Sequence, residues 1–192
     1  MYRTLNVGLT AGAALLLLTV QPALAQDAHI AQAVDHAQQA ATHGELGHAS
    51  VLVQHANMAL THANMAPDAN PYTVAAIASL TDAVTHGNMD HAPIATGMAS
   101  TAVTSLEAAV QVDQAIDHAN QAVTHGGMGH ASVLVTHAQM ALTYAQAAAE
   151  ISDSPHLDLA ITDLQSAVTH GGMDHAEIAT TSAQQGLAHL KM

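Results

Sequence analysis

The chain has 192 residues, 49% hydrophobic but only 2% aromatic, and carries 2 Lys+Arg against 15 Asp+Glu and 16 His, for a formal charge of −13. Such a chain has no cationic footprint for nucleic acid, and without Cys it can form neither disulfides nor thiolate metal sites. Three Tyr and no Phe or Trp leave little from which to build an apolar substrate pocket, whereas surplus carboxylate suits cations.

The first element is a leader. Arg3 precedes an apolar run from Ala11 to Val20, and Ala23-Leu24-Ala25 is a small-residue cleavage site. This pattern predicts a secretory signal peptide over residues 1–25 and a mature chain starting near Gln26. No later apolar stretch approaches the length of a membrane span, so no membrane contact is expected once the leader is removed.

Helical arms follow. Ile30, Ala33, Val34, Ala37, Ala40 and Ala41 recur at three- and four-residue steps, and Ala49, Leu52, Val53, Ala56, Ala59, Leu60 and Ala63 do the same. Between the two arms lies the turn His43-Gly44-Glu45-Leu46-Gly47-His48. The same His-Gly-x-x-x-His turn recurs at His86 to His91, His125 to His130 and His170 to His175. In each, the glycine after the first histidine (Gly44, Gly87, Gly126, Gly171) is the expected left-handed helix terminator. Pro67-Asp68-Ala69-Asn70-Pro71 breaks the chain between hairpins one and two. Ser50 and Ser132 read as helix-start residues. From Met98 to His125 there is no Gly or Pro, which favours one continuous helix, although Asp113 could cap a new start.

The halves are copies. Residues 36–62 and 118–144 are identical at 20 of 27 positions. The expected fold is all-α: two tandem antiparallel four-helix bundles, 26–108 and 109–192, built from four helical hairpins.

All sixteen histidines fall into pairs across these hairpins. Facing members add to a constant, 91 for His43/His48, His36/His55 and His29/His62, and 255 for His125/His130 and His118/His137. The fourth hairpin pairs His170/His175 and His156/His189, and the second has His86/His91 alone. A constant sum marks facing residues of antiparallel helices. Seven-residue spacing lays out twelve such rungs, eight His/His and four without His: Tyr72/Ser105, Ser79/Met98, Gln111/Tyr144 and Asp163/Ser182. No rung is half occupied. Between halves both partners change together, His29/His62 against Gln111/Tyr144 and Tyr72/Ser105 against His156/His189. Paired ligands explain this; independent boundary residues do not.

Residues seven apart on one helix are about 10.5 Å apart, too far to share an ion. Across a hairpin, two imidazoles can converge at metal–nitrogen distances of about 2 Å. Each rung is then a two-His half-site, to be completed by water, a carboxylate or a thioether. Met58 lies on the side of its helix shared by His55 and His62, and Met140 repeats this beside His137. Met89, Met128 and Met173 sit inside turns. Thioether with imidazole favours copper; nickel, zinc and other divalent transition metals are also compatible with imidazole. Asp90 and Asp174 immediately precede His91 and His175 and could ligate or orient them.

Catalysis finds no support. There is no Cys nucleophile, no Gly-rich phosphate loop, no His-Glu-x-x-His and no Glu-x-x-His. A non-enzymatic store for several metal ions per chain is expected. Two rivals fit a His-rich helical chain. A metallochaperone would show an apolar docking patch and one dominant site. A pH-responsive structural protein would move from −13 to about +3 as sixteen His protonate.

The His-Ala-x-x-Ala heptads running into Thr42-His43-Gly44-Glu45-Leu46-Gly47-His48 and Thr124-His125-Gly126-Gly127-Met128-Gly129-His130 resemble the small metal-binding protein family. That resemblance implies a four-helix bundle binding several divalent ions, copper prominent among them, in periplasmic metal homeostasis. The family pattern is a single bundle with Lys/Glu surfaces; this chain is doubled and uses Gln, Asn, Ala and Thr instead.

Overall fold

Ala, the best helix former, dominates the chain, and few of the described residues lie outside helices. The computed structural model describes residues 21–66 and 70–192, with side chains from Ala28 onward. Residues 1–20 of the expected leader and Pro67 to Ala69 of the expected break lie outside the described residues.

Seven helices and no strand occur among the described residues: α1 (Gln21–Glu45), α2 (Ala49–Asn64), α3 (Pro71–Asn88), α4 (Ala92–Gly127), α5 (Ala131–Ile151), α6 (Pro155–Gly172) and α7 (Ala176–Leu190). Consecutive helices pack as antiparallel pairs. α1 packs on α2 and α4, α2 on α3, and α3 on α4; α5 packs on α4 and α6, and α7 on α6 and α4. The continuity expected from Met98 to His125 holds, since α4 runs unbroken for 36 residues. Asp113 lies inside α4 and starts no new helix. Its carboxylate accepts a hydrogen bond from Asn70 Nδ2 at 2.9 Å, and that amide also donates to the Ala109 carbonyl at 3.0 Å. Asn70 Oδ1 in turn accepts from the Tyr72 and Thr73 amides, so one buried Asn both caps α3 and ties it to the middle of α4.

The buried faces are those the periodicity predicts. Ile30, Ala33, Ala37 and Ala40 of α1 and Leu52, Ala56, Ala59 and Ala63 of α2 are buried, with Val34, Val53 and Leu60 packed at the margin. One apolar cluster runs from Ile30 to Leu106, and two others occupy the second half, around Leu157 and Leu164 and around Leu134.

The turns differ from expectation in an instructive way. Gly44, Gly87, Gly126 and Gly171 are still helical, and the left-handed residue comes three positions later, at Gly47 (φ 76°), Asp90 (φ 63°), Gly129 (φ 74°) and Asp174 (φ 62°). The earlier glycines serve close packing. A Cβ on Gly44 would lie 2.6 Å from Leu52 Cδ1 and press on the Thr96 hydroxyl, and Gly126 stands in the same relation to Leu134 and Thr180. Ser50 and Ser132 do not start their helices either. His48 and His130 occupy the N-cap positions, with no side-chain cap bond.

Gly97, exposed inside α4, has nothing within 4 Å of an added Cβ. Gly97→Ala should therefore stabilise the protein by up to about 1 kcal/mol. Gly44→Ala and Gly126→Ala should each destabilise it by about 1–3 kcal/mol through overpacking. Urea unfolding with chelator present measures all three.

Candidate metal sites

Each turn is a Schellman motif. The amide of the second histidine donates to the carbonyl of the first, at 2.8 Å for His48 to His43 and 2.9 Å for His91 to His86, His130 to His125 and His175 to His170. The left-handed residue before it donates to the glycine carbonyl, as in Gly47 to Gly44 at 3.0 Å and Asp174 to Gly171 at 3.1 Å. This motif brings the side chain of its last residue against that of the third residue from the helix end, a contact that is usually hydrophobic. Here both are imidazoles. The backbone closure itself thus builds the first rung of every hairpin.

The Nδ1 atoms of these turn pairs face each other at 3.3 Å (His43/His48), 3.2 Å (His86/His91), 3.4 Å (His125/His130) and 3.4 Å (His170/His175). Further from the turns the pairing continues, at 3.4 Å for His36/His55, 3.3 Å for His29/His62 and 3.3 Å for His118/His137. Seven of the eight expected His/His rungs therefore form on the same atom. The eighth is splayed. His156 and His189 have ring centroids 6.0 Å apart, and His189 Nδ1 is buried without a partner.

These gaps suit a metal ion. Two nitrogens 3.2–3.4 Å apart, each about 2.0–2.1 Å from an ion, subtend roughly 100–115° at it, close to a tetrahedral angle. Both Nδ1 atoms must then present lone pairs, with the protons on Nε2. Most of these rings are half-buried, while the second histidine of each turn and His156 are exposed. Bound ions would remain open to water.

Among the described residues, no group of three or more His, Asp or Glu side chains converges to hold a metal. Asp90 and Asp174 sit at the left-handed positions of their turns and are exposed. Met58 and Met140 are each 42% exposed, so their thioethers are not core packing. Met89, Met128 and Met173 are exposed helix caps beside the turn pairs. Asp163 and Ser182, the rung without histidine in hairpin four, each turn to another partner. Ser182 hydrogen-bonds Ser166 at 2.9 Å, and Asp163 lies 3.8 Å from His189 Nε2.

The rungs also touch one another, which residue spacing on a single helix does not reveal. His43 lies 5.5 Å from His55 with parallel ring planes, and His36 lies 5.7 Å from His62 at 11°. The six imidazoles of hairpin one thus form a single file, with rung and diagonal contacts alternating at nearly equal spacing. Hairpin three repeats the file through His125/His137 at 5.6 Å and ends on Tyr144, 5.7 Å from His118, where hairpin one has His62. Facing residues on helices with a rise of about 10.5 Å per heptad interleave at about half that step when the rungs tilt.

Burial holds the imidazoles of His55, His62 and His137 below the ordinary histidine value of 6.5, and the fields of neighbouring histidines add to it. Asp35 partly opposes the effect at His55.

The arrangement defines a class: a helical protein whose hairpins present paired imidazoles for transition metals. The model of the Small metal-binding protein family matches residues 4–109 and again 108–192, so the chain belongs to that family, in tandem. It is a metal-binding protein and not an enzyme. No curated protein matches the chain, and no helix among the described residues is long and apolar enough to cross a membrane.

The lowered values of those three histidines carry a pH dependence. In the window below 6.5 the unfolded chain binds more protons than the folded one, so stability falls as the pH drops through that value. With chelator present, the melting temperature should hold steady above pH 7 and decline on acidification below about 6.5. His55→Gln/His137→Gln should flatten the decline.

Proposed function

We propose that the chain is a periplasmic buffer that sequesters several transition-metal ions, copper favoured, with nickel and zinc also accepted. One observation carries this reading: seven histidine pairs present facing Nδ1 atoms at 3.2–3.4 Å, each able to grip an ion without rearrangement. Exposed sites with two protein ligands and positions open to water suit storage and release. A reaction centre needs enclosure. The copper preference is supported by the thioethers of Met58 and Met140 between or beside rungs and of the three turn methionines. Asp90 and Asp174 would add negative charge beside the rungs of hairpins two and four. The periplasmic assignment rests on the leader pattern of residues 1–25.

We further propose that residues 26–108 and 109–192 are two four-helix bundles joined through α4. The ring of packing α1–α2–α3–α4–α1 and the second ring α4–α5–α6–α7–α4 support it, as do the separate apolar clusters.

Equilibrium dialysis against copper tests the reading. Several ions per chain should be retained at neutral pH, and fewer as the pH falls below about 6, where imidazole protonation competes with the metal. Replacing His29, His36, His55 and His62 by Gln should remove about two of them. Uptake of one ion or fewer by the parent chain would refute the multi-site reading.

A further inference from the structure

The His156/His189 pair is unlike the other seven, and its surroundings say why. It opens onto a cavity of about 260 Å³ where the start of α3, the loop before α6 and the end of α7 meet, lined by Tyr72, Ser152, Asp153, His156, Leu157 and His189, among others. Two of the lining residues carry buried polar atoms with no partner: Nδ1 of His189 and the phenol oxygen of Tyr72. Buried polar groups are almost always satisfied by protein, water or an ion, and a cavity of this size, mostly apolar but with these polar atoms in its lining, has room for either.

The other side of His189 points to the ion. Asp163 Oδ2 lies 3.8 Å from His189 Nε2. A carboxylate on that side favours the proton on Nε2, which leaves the Nδ1 lone pair turned into buried space. Carboxylate, then imidazole, then metal is the usual order around a bound ion. None of the seven facing pairs shares the feature, since each Nδ1 there looks at another Nδ1. Tyr72 completes the contrast. It belongs to the first repeat yet packs against the apolar cluster of the second, and it stands at the position equivalent to His156.

We propose that His189 Nδ1, His156 and the Tyr72 phenol form a separate, partly open site for a single cupric ion, bound as a copper phenolate with two imidazoles. When the ion takes the phenol oxygen, the phenol hydrogen leaves to solvent, and no change of oxidation state is involved. Asp163 positions His189 and does not touch the ion. The site rests on the metal-binding reading above, but its signature is its own.

The test is a titration of the full chain with cupric sulfate, followed by visible absorption and by retained copper per chain. The parent protein should develop a phenolate-to-copper charge-transfer band. Tyr72→Phe, which keeps the ring and its packing, should lose the band while the seven other pairs still take copper. His189→Gln should lose both the band and one retained ion, and Asp163→Asn should weaken the band-forming site about 10- to 100-fold. Tyr144→Phe, beside His118 in the imidazole file, should keep the band. Copper uptake without a band in the parent protein would overturn this site and leave the paired-imidazole reading standing; it would mean that the cavity holds water only. A band lost with Tyr144→Phe and kept with Tyr72→Phe would also overturn it. No copper uptake at all would overturn both.

Discussion

The interaction on which the rest depends is the hydrogen bond from the amide of the second turn histidine back to the carbonyl of the first. It closes each hairpin across five residues and so sets the register of the two helices with no freedom left. Once His43 faces His48, the heptad spacing makes His36 face His55 and His29 face His62. A slip of one residue in the turn would rotate every later imidazole by about 100° and dissolve the file. The left-handed residue that permits this closure is glycine in hairpins one and three and aspartate in hairpins two and four. Aspartate tolerates that conformation better than most residues do.

Close helix approach follows from what lies under the turns. The helical glycines Gly44, Gly87, Gly126 and Gly171 leave room for Leu52, Val53, Leu134 and Val135, and alanines fill most of the core below. Small core residues bring flanking positions near enough for short imidazole side chains to meet. Larger residues at those positions would hold the helices apart, and the Nδ1 gaps would exceed what one ion can span. The poor apolar burial of such a core and the metal sites on its margin are thus two results of one choice of residues.

Much of this was legible in the sequence, and the exceptions are physical ones. The helices, their buried faces, the continuous α4 and seven of the eight histidine pairs follow from periodicity and from the constant sums. The glycine after the first turn histidine misled, because its role is packing against a residue of another hairpin, Thr96 and Thr180 for Gly44 and Gly126 and Val53 and Val135 for Gly87 and Gly171, which no local pattern records. The contacts between rungs were missed because spacing along one helix says nothing about the tilt of a pair. His156/His189 departs from the rule beside a cavity lined by Tyr72 and the loop before α6, where the halves differ by two residues in length, and no periodicity records that cavity. The role of Asn70, which joins α3 to α4, depends on a tertiary partner 43 residues away.

The central claim is that each of the seven facing pairs binds an ion between its two Nδ1 atoms. Histidine ring nitrogen-15 NMR of the zinc-loaded protein tests this directly, because it reports coordination at each nitrogen separately. Both members of a pair such as His36/His55 should show metal-bound Nδ1 and protonated Nε2, and they should change together as zinc is added. Coordination through Nε2, or one member binding while its partner stays free, would contradict the account.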